Sequence, residues 1–144
     1  MARRSIPNDM AAVIHDRAEV FGVPESIVRS VVWVESSARW HATRFEKHYR
    51  WFVGKPTGAE RRGQATSFGC MQVMGAVARE HGFTGDFEEL NGPAGIHYGC
   101  KHLAGYYRRF KTWDAACRAY NTGRGKRTRA GDRYLAKIKK MFGR

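Results

Sequence analysis

The sequence has few acidic residues and no long apolar run. It contains 13 Asp and Glu against 26 Lys and Arg in 144 residues, which gives a formal net charge of +13 at neutral pH. A surplus of this size attracts polyanions, among them nucleic acid, anionic lipid, lipopolysaccharide and acidic wall polymers. Because no apolar stretch is long enough to cross a membrane and none follows the charged start, we expect neither a transmembrane helix nor a signal peptide.

Cysteine is also sparse. Cys70, Cys100 and Cys117 are an odd number of thiols, lie far apart and form no C-x-x-C pair. This spacing argues against a disulfide framework and against a zinc site. We expect buried thiols in a protein made in a reducing compartment. The six histidines form no H-E-x-x-H motif, so we expect no metal and no cofactor.

The length and the ordinary apolar content of 42% predict one globular domain over residues 1–144. Hydrophobic periodicity and capping residues, including Asn8 as the first cap, predict helices over residues 9–21, 24–35, 71–81, 93–111, 113–120 and 132–142. Residues 37–66 show no sustained period and are predicted to form a long loop or a short hairpin, a kind of segment that is usually functional. The predicted fold class is therefore mainly α.

Glu35 is the first candidate for a catalytic residue. It lies at the end of a predicted helix, on the same apolar stripe as Val28 and Val32. Apolar surroundings and the negative end of a helix dipole both raise the pKa of a carboxyl group, as a general acid near neutral pH requires. The alternative is a glutamate at a frayed helix end that turns into water.

The segment from Ser67 to Met74 holds the second group of candidates. Gly69 allows a backbone to approach a ligand closely, Met71 offers a soft apolar contact, and Gln72 has both a donor and an acceptor for a sugar or an amide. The alternative is a helix N-terminus that Ser67 caps.

Tyr120 and Asn121 are the third group. A tyrosine offers a flat face with a polar tip, and an asparagine can orient an amide or a hydroxyl. An ordinary helix C-cap at Asn121 or Gly123 explains the same residues equally well.

The three segments in this order resemble the soluble lytic transglycosylase and goose-type lysozyme group. The motifs that carry the resemblance are Glu35-Ser36, Gly69-Cys70-Met71-Gln72 and Ala119-Tyr120-Asn121-Thr122-Gly123. The helix over residues 91–103 and the pair Tyr134 and Ile138 are similar to two further family motifs. The resemblance covers about residues 9–140. Cys70 and Thr122 are mild departures, since an aliphatic residue and an alanine are usual there.

The resemblance implies a lysozyme-like α fold with a groove for peptidoglycan glycan strands. It also implies cleavage of the β-1,4 bond between N-acetylmuramic acid and N-acetylglucosamine, with Glu35 as the catalytic acid. Residues with an implied supporting or substrate-binding role are Ser36, Ser67, Gly69, Met71, Gln72, Tyr120 and Asn121. Lytic transglycosylases need no second carboxylate, because the 6-hydroxyl of the muramic acid attacks and a 1,6-anhydro ring forms.

Glu46 leaves the mechanism open. It follows the predicted catalytic helix and is either a second catalytic carboxylate, as in a hydrolytic muramidase, or a substrate-binding residue in the groove. The alternative is an ion pair with a neighbouring cation such as Arg44, Lys47 or Arg50. The sequence does not give the distance between Glu35 and Glu46 on which the choice depends.

The basic C-terminal region suggests a partner. Residues 124–129 and 137–140 are dense in Lys and Arg, and the last predicted helix has an apolar side made by Leu135, Ile138, Met141 and Phe142. We expect that side to pack into the core and the charged side to be available to an anionic envelope surface. The favoured interpretation is a monomeric phage endolysin, made in the host cytoplasm, that acts on the cell wall in host lysis. A virion-associated wall hydrolase and a bacterial enzyme that is not from a phage are the alternatives within the same class. The alternative classes are a non-catalytic wall-binding module and a nucleic-acid-binding module, although no specific nucleic-acid motif is present.

Overall fold

The computed structural model of the protein describes residues 5–141. In this part of the chain the α-helices are α1 (Asn8–Phe21), α2 (Glu25–Ser36), α3 (Gly58–Gln64), α4 (Gly75–Glu80), α5 (Pro93–Phe110), α6 (Trp113–Thr122) and α7 (Arg129–Lys140). The strands are β1 (Thr43–Phe45), β2 (Thr66–Phe68) and β3 (Val73–Met74), and a short 3-10 helix spans Phe87–Asn91. The expected mainly α fold class is confirmed.

The core forms around α5, the longest helix of the described chain. Proline stands at its first position, as the sequence predicts, and a left-handed Lys111 follows its last residue. Its buried face carries Ile96, Cys100 and Leu103, each with no exposed surface. Helices α1 and α6 pack against this face, and α7 packs against α2 and α6. The apolar side of α7 is therefore buried, as expected for Leu135 and Ile138, whereas Phe142 lies outside the described residues.

Helix α2 brings the candidate acid to the edge of the core. Val28 and Val32 are fully buried, and Glu35 follows on the same stripe. The helix runs one residue further than predicted, to Ser36, and ends where Ser37 adopts a left-handed φ of 56°. The carbonyl oxygen of Trp33 accepts a hydrogen bond from the Ser37 backbone N–H, which closes the last turn.

The prediction of a structureless loop over residues 37–66 is wrong in part. Strand β1 pairs with β2, and β2 pairs with β3, in one antiparallel sheet with Arg44 opposite Ser67 and Ser67 opposite Met74. The hairpin alternative is thus correct for the ends of the segment, but α3 was missed in its middle. The sequence of α3, Gly-Ala-Glu-Arg-Arg-Gly-Gln, has no apolar period from which a helix could be predicted. Polar contacts hold this helix in place.

Several predicted helix boundaries also change. Helix α4 begins at Gly75 rather than at residue 71, because Gly69 and Gln72 adopt left-handed backbone angles of 80° and 51° in a turn between β2 and β3. Asn8 is the first residue of α1 rather than its cap, since Pro7 occupies the capping position. Asn121 likewise lies inside α6, which ends at the left-handed Gly123.

The three cysteines are buried and form no disulfide. Burial raises the pKa of the Cys70 and Cys100 thiols to about 12. Among residues 5–141, no helix combines the length and the apolar character that crossing a bilayer requires.

Candidate active site

A cleft of about 230 Å³ opens where α2, α6 and the small sheet meet. The helices contribute Glu35, Tyr120 and Asn121 to its wall. The sheet contributes Arg44, Ser67 and Met74, the turn between β2 and β3 contributes Gln72, and Glu46 follows β1. The structure therefore brings six of the predicted site residues together around one opening, although they come from three distant parts of the sequence.

Of the two carboxylates that line this cleft, Glu35 is the more buried. Burial raises the pKa of Glu35, and this effect outweighs a hydrogen bond from Tyr134 and the charges of Lys137 and Arg44, which lower it. The Tyr134 hydroxyl donates that hydrogen bond to Oε2 of Glu35 over 2.8 Å. A carboxyl group with a raised pKa and a fixed orientation is suited to general acid catalysis.

Tyr134 was not among the predicted site residues. It lies on the buried face of α7 and is 6% exposed. Burial, and next the negative charge of Glu35, hold the pKa of Tyr134 well above its usual range, so it stays a neutral donor. The resemblance of Tyr134 and Ile138 to a family motif was the available signal, but contact with an acid 99 residues earlier is set only by the packing of α7 on α2.

Tyr120 supports the cleft from the other side. Its hydroxyl donates a hydrogen bond of 2.6 Å to the backbone carbonyl of Met71. Burial, and next the charge of Glu35, hold the pKa of Tyr120 well above its usual range. Tyr120 therefore fixes the turn between β2 and β3 against α6 and gives the cleft a neutral wall. Asn121 is exposed beside it at the rim.

The Gln72 side chain is largely committed within the protein. Its amide nitrogen donates to the carbonyls of Ala42 at 2.8 Å and Gly69 at 2.9 Å. Its carbonyl oxygen accepts from the Ser67 hydroxyl at 2.9 Å. Both amide hydrogens are used, so Gln72 and Ser67 shape the floor of the cleft and leave one acceptor lone pair of Gln72 for a ligand.

Gly69 and Met71 take structural positions outside the cleft wall. A Cβ atom at Gly69 would lie 2.1 Å from the carbonyl oxygen of Leu90, so the close approach that requires glycine is to this backbone and not to a ligand. The Met71 side chain is fully buried against Gly99. Neither residue is among those that line the cleft, contrary to the expectation, since motif order alone does not reveal which residues face the groove.

Ser36 connects the end of α2 to the same turn. Its hydroxyl lies 2.8 Å from the carbonyl oxygen of Cys70 and 3.0 Å from that of Val32, and it accepts a hydrogen bond from the Arg39 backbone N–H. It is 3% exposed. Ser36 therefore positions the segment that carries Glu35 and makes no contact with the Glu35 carboxyl.

The arrangement can be compared with known proteins. A comparison with protein-family models matches residues 12–142 to the Transglycosylase SLT domain. The chain belongs to this family. Comparison with curated protein sequences finds no match. The resemblance inferred from the motifs is confirmed, and the lysozyme-like α fold is that of an SLT domain. The general activity of the domain is peptidoglycan degradation by lytic transglycosylation.

Glu46 occupies the rim of the cleft in this SLT domain. One of its carboxylate oxygens lies 3.2 Å from Nε of Arg44, and both side chains are substantially exposed. The ion pair that the sequence allowed as an alternative is thus formed. The exposure of Glu46 contrasts with the burial that raises the pKa of Glu35, so the two carboxylates of the cleft have different environments.

Proposed function

We propose that Glu35 is the general acid and base of this SLT domain. Its substrate is the peptidoglycan glycan strand, and the bond cleaved is the β-1,4 bond between N-acetylmuramic acid and N-acetylglucosamine. The product end is a 1,6-anhydromuramic acid. The single observation that carries this proposal is a largely buried carboxyl group that Tyr134 orients at the wall of an open cleft, an environment that raises the pKa of Glu35.

Glu35 takes part in two proton transfers, in which it donates one proton and then takes up another. Neutral Glu35 donates its proton to the glycosidic oxygen while the bond from that oxygen to C1 of the muramic acid breaks. The 6-hydroxyl of the same sugar then bonds to C1, and the Glu35 carboxylate takes the hydroxyl proton. Glu35 ends the cycle neutral, as it began. Because burial favours the neutral form of the carboxyl group, a larger fraction of Glu35 is in the form that can donate than for an exposed glutamate.

Glu46 decides between this mechanism and hydrolysis. A hydrolytic muramidase needs a second carboxylate as a nucleophile or as a base for water. Glu46 is the other carboxylate among the described residues that line the cleft, and its ion pair with Arg44 supports a role at the rim. We therefore favour transglycosylation, with Glu46 near the sugar but outside the proton transfers.

Mass spectrometry of digested peptidoglycan tests both parts of the proposal. We expect wild-type protein to release muropeptides with anhydro ends, one water lighter than those with reducing ends. Glu35→Gln should lower release by at least about 10³-fold, because it cannot donate a proton. Glu46→Gln is the matched control and should retain anhydro products. If Glu35→Gln released muropeptides at the wild-type rate, the assignment of Glu35 would be contradicted. If the wild-type protein released muropeptides with reducing ends and Glu46→Gln did not, the hydrolytic muramidase mechanism would be established.

We also propose that the exposed face of α7 binds the anionic cell envelope during host lysis. Arg129, Arg133, Lys137 and Lys140 share this face, and all four are exposed. Binding of anionic vesicles should weaken as salt rises and should fall in an Arg133→Gln/Lys140→Gln variant. Vesicle binding that is the same in this variant would remove α7 from the proposal.

A further inference from the structure

A second cleft of about 170 Å³ borders the catalytic cleft. Its wall includes Phe45, Tyr49, Phe52, Arg61 and Arg62. The two clefts share Glu46, which follows the edge strand β1. The two clefts are therefore adjacent at Glu46.

The second cleft combines cations with aromatic rings. The Arg61 guanidinium carbon lies 4.1 Å from the ring centre of Phe52, and that of Arg62 lies 4.4 Å from the ring centre of Phe45. Stacking uses the flat face of a guanidinium and leaves its N–H groups, which lie in the plane, for a carboxylate. Both arginines are exposed at the cleft.

The nearby acids do not neutralise these arginines. Glu60 pairs with Arg79, and Glu46 pairs with Arg44. Across residues 5–141, neither Arg61 nor Arg62 is within ion-pair distance of a carboxylate. The cleft therefore presents two unneutralised cations and is complementary to an anionic ligand.

Helix α3 holds the two arginines in place. Gln64 at its end accepts a hydrogen bond from the Val53 backbone N–H at 2.8 Å and donates one to Glu60 at 2.9 Å. Both carboxylate oxygens of Glu60 accept hydrogen bonds of 3.0 Å from Arg79. These bonds fix both sides of the segment before any ligand arrives, which lowers the entropy cost of binding.

We infer that the second cleft binds a carboxylate of the peptide stem on the glycan strand being cleaved, with Arg61 and Arg62 as its contacts. The inference rests on the proposed function, which places a muramic acid in the first cleft. The stem is attached to that sugar through a lactyl group and carries free carboxylates and alanine methyl groups. An extended stem of four residues spans about 13 Å, and the two clefts share Glu46 as a lining residue. The carboxylates match the arginines, and the methyl groups match the aromatic rings.

The test compares two soluble substrates. One is glycan strands that carry stems, and the other is the same strands after an amidase has removed the stems, which leaves one lactyl carboxylate on each muramic acid. We expect Arg61→Gln/Arg62→Gln to lower kcat/KM about tenfold on strands with stems, mainly through KM, and less than about twofold on stripped strands. Arg61→Lys/Arg62→Lys should recover part of the loss, since charge returns without the planar fork.

Arg124→Gln/Lys126→Gln is the matched control, because it removes the same charge from exposed positions that line neither cleft. This control should leave kcat/KM unchanged on both substrates, and a thermal melt should show that all variants fold. An equal loss on both substrates, or no loss on either, would overturn the inference. Wild-type cleavage of stripped strands keeps the proposed function independent of this result, whereas no cleavage of either substrate by wild-type protein would defeat the proposed function itself.

Discussion

Removal of the Tyr134 hydroxyl should change the pH dependence of the enzyme in a defined direction. Tyr134→Phe keeps the buried ring and deletes only the 2.8 Å hydrogen bond to Glu35. That bond lowers the pKa of Glu35 and opposes the larger effect of burial. Without it, burial acts with less opposition, so the pKa of Glu35 should rise further. Because the role proposed for Glu35 requires its protonated form, the alkaline limb of kcat/KM should move to higher pH.

The size of the effect follows from the charge of the acceptor. A hydrogen bond to a charged group contributes about 1.5–3 kcal/mol, and one between neutral groups contributes about 0.5–1.5 kcal/mol. Tyr134→Phe should therefore destabilise the ionised form of Glu35 by about 1 kcal/mol more than the neutral form. The loss of unfolding free energy should accordingly be larger at pH 7, where Glu35 is ionised to a greater extent, than at pH 4.

Two measurements check this prediction. A pH profile of kcat/KM on soluble glycan strands gives the position of the alkaline limb, and urea unfolding at pH 4 and pH 7 gives the two stability losses. Tyr107→Phe, a change on the exposed side of α5 away from the cleft, is the control. It should change neither the position of the alkaline limb nor the dependence of stability on pH. An alkaline limb that stays in place or moves to lower pH, with equal stability losses at both pH values, would refute the reasoning.

Three further outcomes follow from burial and backbone geometry. Glu35→Gln should raise the unfolding free energy at pH 7, because burial penalises the ionised carboxyl group that it replaces. Because a raised folded-state pKa makes the ionised acid a cost, this gain should shrink as pH falls towards 4, and a loss at pH 7 in urea unfolding would contradict it. Gly69→Ala should cost about 3 kcal/mol or more from its φ of 80° and its approach to Leu90, and a thermal melt near wild type would oppose this. The Cys70 and Cys100 thiols, with pKa values of about 12, should react with a thiol reagent at pH 8 only after denaturation, and rapid native labelling would show that they are accessible.

The helices with a clear apolar period could be predicted from the sequence. Proline at the start of α5 and an apolar face through Ile96 and Leu103 gave the correct bounds to within about one residue. The stripe of Val28 and Val32 also placed Glu35 at the edge of the core. These predictions succeed because burial on one face of a helix leaves a local pattern in the sequence.

Features that depend on contacts between distant segments could not be predicted in this way. Helix α3 has no apolar face and is held by Gln64 and by the bond between Glu60 and Arg79. The turn that shortens α4 depends on the left-handed Gln72, whose amide bonds to Ala42. The contact of Tyr134 with the acid is set by the packing of α7 on α2. None of these three leaves a local period in the sequence.

A direct titration of the Glu35 carboxyl carbon by NMR tests the central claim most directly. The assignment of that signal comes from its loss in Glu35→Gln. The account predicts that Glu35 titrates at a pH above the ordinary value for a glutamate, because burial disfavours its charged form. A titration at or below the ordinary value would show that burial does not favour the neutral acid, and it would contradict the account of Glu35 as the proton donor.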